Sequence, residues 1–160
     1  MKWIGLAALG LLVSVGAAAA QPATEGAFLA DAARQTGAVT LPGLTYLVLK
    51  SGPADGAHPA RADTITVRYV GRFTDGKVFN TSADEGRGTT TFELGKLIPG
   101  WVAALRLMRP GDQWRLYIPS YLAYGSAGKS PYIPPNSTLV FDVELVAITP
   151  APPPEASKPK

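Results

Sequence analysis

The 160-residue chain contains no cysteine and a single histidine, His58. Without cysteine there is no disulfide, no thiol nucleophile and no thiolate metal ligand, so the core alone must hold the fold together. One histidine among scattered carboxylates does not form the residue set of a zinc site or a Ser-His pair. Neither a Gly-x-Ser-x-Gly motif nor a phosphate-binding glycine loop is present. The sequence therefore argues against metal-dependent and covalent enzymes, and no metal or other cofactor is expected.

Strong charge is also lacking. The 15 basic and 12 acidic residues give a net charge of +3, and the basic residues are scattered, so no nucleic-acid partner is predicted. Long apolar runs occur only in residues 1–20, where Lys2 precedes an apolar stretch that ends in four alanines. This pattern is typical of a secretory signal peptide. The alternative, a membrane anchor, is disfavoured because no basic flank follows. We expect cleavage after Ala18 or Ala20 and no membrane association afterwards.

Two further segments lie outside the expected core. Residues 21–40 form an N-terminal leader in which Thr24 to Gln35 is compatible with a short helix, because Phe28, Leu29 and Ala32 fall on one face. A partly ordered leader is the preferred interpretation, since about a dozen residues bury little by themselves. Residues 150–160 are rich in proline and are predicted to be a disordered tail. An adaptor role for this tail is a weaker hypothesis.

Residues 41–149 carry the patterns of one α+β domain. Alternating apolar residues predict strands at 44–50, 64–73, 91–94, 113–118 and from Leu139 onward. The segment Thr74-Asp75-Gly76-Lys77 predicts a hairpin whose return strand begins at Val78, and residues 80–90 are expected to be an exposed excursion. A single helix is predicted from Pro99 to Leu107. We therefore expect a twisted antiparallel sheet of five to six strands around one short helix.

The loop from Ala123 to Thr138 is long, apolar and rich in glycine and proline. Long ordered loops usually have a function, and this composition suits the wall of a pocket. The strand that follows directs Phe141 towards the core or the pocket. Aromatic residues elsewhere near loops, such as Trp101 at a helix start, fit a binding pocket with a few polar groups. The alternative is that all of these residues belong to the core.

Several segments, in this order, resemble those of the FKBP-type peptidyl-prolyl isomerases from about Leu44 to Ile148. These are Val67-Arg68-Tyr69-Val70-Gly71, Asp75-Gly76-Lys77-Val78-Phe79-Asn80-Thr81-Ser82, Phe92-Glu93-Leu94-Gly95, Ile98-Pro99-Gly100-Trp101, Ala123-Tyr124-Gly125 and Ile133-Pro134-Pro135-Asn136-Ser137-Thr138-Leu139-Val140-Phe141-Asp142-Val143-Glu144-Leu145. Any one of them is a weak signal, whereas the ordered set is highly specific. The lead-in Leu41-Pro42-Gly43-Leu44 resembles the exported bacterial branch of this family.

The resemblance implies a half-wrapped antiparallel sheet with a pocket between the sheet and its helix. It implies catalytic roles for Tyr124, Asn80, Tyr69 and Phe141, and substrate binding by Phe79, Leu97, Ile98, Trp101 and Ile133. Trp101 would form the floor, and the Tyr124 hydroxyl and the Ile98 N–H would bind substrate carbonyls. Lys129 and Tyr132 fall in a loop that varies within the family and are expected to tune sequence preference.

The implied activity is peptidyl-prolyl cis-trans isomerisation, in which proline-containing unfolded or nascent exported proteins are the partners and macrolides the inhibitors. The family usually has Asp where this chain has Asn80, and many members have an aromatic residue near Thr90. The change at Asn80 raises the hypothesis of reduced activity, and with it the alternative of a non-catalytic chaperone module that binds prolyl peptides in the same pocket. Glycans on the sequons at Asn80 and Asn136 would obstruct the pocket, which favours a bacterial periplasm.

Overall fold

The computed structural model describes residues 24–85 and 88–152. The predicted signal peptide, residues 1–20, lies outside the described residues. Of the predicted proline-rich tail, only residues 150–152 lie within them.

The domain is built on one antiparallel sheet of seven strands in the order β1-β2-β6-β7-β3-β4, with β5 also paired to β3. Helix α1 precedes the sheet, α2 lies between β5 and β6, and three short 3-10 turns complete the elements. The bounds are α1 Glu25–Ala33, β1 Ala38–Leu41, β2 Leu44–Lys50, β3 Thr64–Phe73, β4 Val78–Thr81, a turn at Ser82–Glu85, β5 Thr90–Glu93, a turn at Leu94–Lys96, α2 Pro99–Leu105, β6 Gln113–Ile118, a turn at Ser120–Leu122 and β7 Leu139–Thr149.

Strands β3 and β7 form the centre of the sheet. In β3 the odd-numbered residues from Ile65 to Gly71 are buried and the intervening ones are more exposed, which is the period of a strand with one face on a core. Gly71 lies opposite Phe141 in the register. A Cβ at Gly71 would approach Phe79 Cζ to 2.7 Å and Phe141 Cε1 to 2.8 Å. Glycine at this position therefore allows both rings to lie against the strand.

Helix α2 packs across the concave face of the sheet. Pro99 occupies the first turn, where its missing N–H costs nothing, and Trp101, Ala104 and Leu105 are buried. Gly100 permits close contact, since a Cβ there would lie 2.5 Å from Ile118 Cγ2. The helix ends at Leu105, two residues before the predicted end at Leu107. Beyond Leu105 the hydrogen bonds span three residues, as in a 3-10 turn, and the Leu107 N–H donates to the Ala104 carbonyl.

The α+β class and the antiparallel sheet around a short helix are confirmed, with more strands than expected. The additional strand β1 has four residues and reaches β2 through a tight turn in which Gly43 has a φ of +81°. The prediction of an exposed excursion over residues 80–90 is wrong for its first residues. Asn80 and Thr81 continue β4. Ser82 is buried, and its hydroxyl accepts a hydrogen bond of 3.1 Å from the Tyr69 N–H.

Within the predicted leader the structure has the short helix that the sequence allowed, α1 at Glu25–Ala33. The Thr24 hydroxyl caps the helix by accepting a hydrogen bond from the Ala27 N–H. Ala32 is buried in a small cluster with Tyr117 and Val140, against which Phe28 also packs. Isolated helices of this length are marginal, but docking on the sheet stabilises them.

No helix in the described part of the chain is long and apolar enough to cross a bilayer.

Candidate active site

A cavity of about 720 Å³ opens between the concave face of the sheet, the start of α2 and the loop before β7. Its walls are mostly aromatic and branched side chains, with a few polar groups at the rim, which is the usual design of a small-ligand site. The lining residues are Tyr69, Phe79, Asn80, Phe92, Lys96, Leu97, Ile98, Trp101, Tyr124, Lys129, Tyr132, Ile133 and Phe141.

Trp101 lies at the centre of an aromatic cluster that forms the floor. Its side chain is 4% exposed. The ring centroids of Tyr69 and Phe141 lie 5.3 and 5.2 Å from it, with interplanar angles of 86° and 84°. Phe92 approaches at 6.2 Å and 88°. Edge-to-face contacts of this kind are favourable and hold each ring in one orientation. The floor is therefore rigid and apolar.

Tyr69 is fixed from both its backbone and its hydroxyl. The Tyr69 N–H donates to Ser82, and the Thr81 hydroxyl donates to the Tyr69 carbonyl at 3.1 Å. The Tyr69 hydroxyl donates to the Asn80 side-chain oxygen at the cavity edge. An amide oxygen accepts such a bond without a charge. Asn80 is therefore an uncharged anchor for the phenol of Tyr69.

The loop between β6 and β7, residues 119–138, forms the outer wall and is here called the pocket loop. Lys129 and Ile133 exchange backbone hydrogen bonds of 2.7 and 2.8 Å across its tip, and this turn places the Ile133 side chain inward at 5% exposure. The Gly128 N–H donates to the Tyr124 carbonyl at 3.1 Å. The Lys129 ammonium lies 5.4 Å from the centroid of the Tyr124 ring, within cation–π range.

Tyr124 and Ile98 bring a hydroxyl and a backbone N–H to the lining of the cavity. Tyr124 and Ile98 both line it and both are half-buried. Among the residues that the structure describes, neither the Tyr124 hydroxyl nor the Ile98 N–H has a hydrogen-bond partner. Polar groups in an apolar wall are stabilised by a partner, so these two are suited to receive carbonyl oxygens of a bound ligand.

All nine residues predicted to act in the site line this one cavity. Their separate catalytic and binding roles stay predictions. Lys129 and Tyr132, expected to tune preference, lie at the rim. Phe92 and Lys96 line the cavity but were not predicted to do so. The signal for Phe92 is its alternation in β5, where it pairs with Ile65 on the buried face. No sequence signal marks Lys96.

The convex face behind the cavity carries an ion-pair cluster. Asp142, next to Phe141 in β7, accepts hydrogen bonds from Arg115 at 2.6 Å and from Arg72 at 2.7 Å. Burial by itself raises the pKa of Asp142, but the hydrogen bonds and charges of the two arginines outweigh it and hold the pKa below its usual value. The cluster joins β3, β7 and β6 across the back of the cavity. No group of three potential metal ligands occurs in the described residues.

The half-wrapped sheet, the short helix and the aromatic cavity define a prolyl-isomerase type of domain. The chain belongs to the FKBP-type peptidyl-prolyl cis-trans isomerase family, because the model of that family matches residues 56–146. The chain is 48% identical over 122 residues to the macrophage infectivity potentiator of Trypanosoma cruzi, covering 76% of this chain and 61% of that protein. It is 44% identical over 128 residues to the FKBP-type 22 kDa peptidyl-prolyl cis-trans isomerase of Escherichia coli K12, covering 79% and 61%.

A solved structure supports the same assignment. The crystal structure of FkpA from Escherichia coli superimposes with a TM-score of 0.75 at 43% identity, covering 80% of this chain and 59% of that one. The chain thus spans less than two thirds of these three relatives.

Proposed function

We propose that this chain catalyses cis-trans isomerisation of X–Pro bonds in exported proteins and so acts as a folding catalyst. The observation that carries the proposal is the cavity itself, in which an aromatic floor at Trp101 is lined also by Tyr124 and Ile98, whose hydroxyl and N–H have no hydrogen-bond partner among the described residues. Membership of the isomerase family supports the same activity.

The reaction suits a site without a nucleophile or a metal. Rotation about the X–Pro bond crosses a barrier of about 18–20 kcal/mol, because resonance of the amide is lost at the twisted geometry. The planar amide is the more polar form, so removing water disfavours it relative to the twisted form. Each tenfold gain in rate requires about 1.4 kcal/mol of preferential binding of the twisted form.

In this mechanism the prolyl ring lies on Trp101, between the side chains of Phe79, Leu97, Ile133 and Phe141. The Tyr124 hydroxyl and the Ile98 N–H hold carbonyl oxygens on either side of the rotating bond. The bond from the Tyr69 hydroxyl to Asn80 keeps the Tyr69 phenol aimed at the cavity. Shape fit and these hydrogen bonds supply the preference for the twisted amide, and no proton is transferred.

The proposed partners are proline-containing unfolded or nascent proteins, and macrolide inhibitors of the family are proposed to occupy the same cavity. The proposed location is the periplasm, or the medium, after signal-peptide cleavage. Two observations support export: the pattern of residues 1–20, and the similarity, at 40% identity over 123 residues, to a protein named outer membrane protein MIP in Legionella longbeachae.

A protease-coupled assay with a chromogenic prolyl tetrapeptide tests the proposal. The purified chain should accelerate cis-to-trans conversion, and a macrolide should abolish the acceleration. Leu107→Ala is the matched control, because Leu107 is 43% exposed and does not line the cavity. Macrolide binding without any acceleration would refute catalysis and leave the chaperone module, which binds prolyl peptides but does not isomerise them.

A further inference from the structure

The pocket loop is held at both of its ends by one side chain from outside the sheet. Glu25, the first residue of α1, accepts hydrogen bonds on Oε1 from the Ser120 N–H at 2.8 Å and from the Thr138 hydroxyl at 2.6 Å. The Ser120 hydroxyl donates to Oε2 at 3.3 Å. Ser120 and Thr138 are 8% and 6% exposed while Glu25 is exposed, so the carboxylate reaches from the surface to two buried residues.

The Glu25 contact lies where the pocket loop leaves the sheet. Strands β6 and β7 pair up to Ile118 and Leu139, and the pocket loop leaves the sheet immediately beyond that pair. Glu25 therefore closes the base of the loop just beyond the last rung of the sheet. A carboxylate accepts hydrogen bonds but donates none, and bonds to a charged acceptor are stronger than neutral ones. One side chain thereby satisfies three donors from the two stems.

The contact extends into the loop through backbone bonds. The Ser120 carbonyl accepts the Gly125 N–H at 2.8 Å, and the Gly125 carbonyl accepts the Asn136 N–H at 2.8 Å. Tyr124, which carries one of the two cavity donors, directly precedes Gly125. A change at Ser120 is therefore transmitted to the backbone that places Tyr124.

We propose that Glu25 is a positioning residue of the site: by holding Ser120 and Thr138 together it sets where the pocket loop places Tyr124 and Ile133. Helix α1 is then part of the functional unit and not only a leader. The family model begins at residue 56, so it does not include this helix. The catalytic consequence rests on the proposed function, whereas the effect on the loop does not.

Three variants test the proposal. Glu25→Ala removes all three bonds. Glu25→Gln keeps the shape and an acceptor at Oε1 for the Ser120 N–H and Thr138 but loses the charge, so it should rescue the loop in part. Gln35→Ala is the matched control, because it removes the bond of 3.0 Å that Gln35 accepts from the Tyr117 hydroxyl, which also ties the leader to the domain but lies before the pocket loop.

Amide hydrogen exchange measured by NMR reports the opening of the pocket loop and does not depend on catalytic activity. In Glu25→Ala, the amides of Gly125, Ile133 and Asn136 should exchange about tenfold faster or more, since the lost bonds to a charged group protected them from opening. Amides of β3 should not change. Glu25→Gln should fall between Glu25→Ala and the natural protein, and Gln35→Ala should leave the pocket-loop amides unchanged.

Steady-state kinetics with the prolyl tetrapeptide supply the second readout. Glu25→Ala should lower kcat/KM about three- to tenfold, because the displaced loop carries Tyr124, whose hydrogen bond favours the twisted amide, while the floor is intact. Unchanged loop exchange in Glu25→Ala, or the same changes in Gln35→Ala, overturns the proposal. If Glu25→Ala does not fold, Thr138→Val must show smaller shifts in the same direction, and their absence also overturns it. Faster loop exchange in a chain without isomerase activity refutes the proposed function alone.

Discussion

Replacing Asn80 by aspartate tests how far charge at the cavity edge governs the rate. Asn80 accepts a hydrogen bond from the Tyr69 hydroxyl, and Tyr69 packs edge-on against Trp101 at the floor. Asn80→Asp keeps the size and the acceptor and adds a negative charge. The variant should therefore hold the Tyr69 phenol more firmly without repacking the aromatic cluster.

The expected gain in kcat/KM depends on the strength of the new hydrogen bond and on the exposure of Asn80. A neutral hydrogen bond contributes about 0.5–1.5 kcal/mol and a bond to a charged group about 1.5–3 kcal/mol, so the charge adds about 1 kcal/mol. Because Asn80 is exposed, solvent screening reduces the gain to about 0.5–1 kcal/mol. If the gain is realised in the transition state, kcat/KM rises about two- to fivefold. Macrolide affinity should change less.

The assay is protease-coupled isomerisation of the prolyl tetrapeptide, with folding checked by circular dichroism. Tyr69→Phe is the control background, because it removes the hydroxyl that the new charge is expected to orient. In that background Asn80→Asp should bring no gain in kcat/KM. A folded single variant with a kcat/KM equal to or below that of the natural protein would refute the reasoning, and so would an equal gain in both backgrounds.

Three further predictions concern the cavity and the sheet behind it. Tyr124→Phe should weaken macrolide binding by about 0.5–1.5 kcal/mol in titration calorimetry with folding nearly unaffected, and unchanged binding would count against its hydroxyl as a donor. In Trp114→Phe, the emission of Trp101 should change when a prolyl ligand binds; a constant spectrum despite binding would remove Trp101 from the floor. Since the folded pKa of Asp142 is depressed, its contribution to stability is present above the unfolded value of about 3.8 and is lost as pH falls through the lower folded pKa. Asp142→Asn should therefore lower the free energy of unfolding at pH 7 by about 1–2 kcal/mol and make it less acid-sensitive below about pH 4, as urea titrations at both pH values will measure.

The regular strands were predictable because their apolar alternation is strong and local. Strands β2, β3 and β6 begin and end at the predicted residues. The edge strand β1 was not predicted, since four residues between glycines carry too little pattern. For helix α1 the sequence left two interpretations open, because the helix packs on Tyr117 and Val140, residues distant in sequence. Tertiary contacts determine whether such short elements form, and the local sequence pattern carries no information about those contacts.

The candidate site shows the same division. Its lining residues were placed by ordered motifs, and the structure brings them around one cavity. Lys96 enters the cavity through a 3-10 turn whose course the motifs do not reveal. The contact of Glu25 with Ser120 and Thr138 joins three segments that have no shared pattern. Such contacts depend on the docking of α1, so only the folded structure displays them.

The pairing of β3 with β7 determines when, during folding, the cavity forms. Tyr69 and Phe141 reach the same cavity only when these strands, distant in the chain, have found their register. Long-range strand pairing is slow, because it must first overcome the entropy of closing the intervening chain. In a newly made copy the cavity therefore forms only after these strands have paired. A compound that fills the cavity binds only the finished molecule, and at 100 times its Kd it adds about 2.7 kcal/mol to the stability of the whole domain.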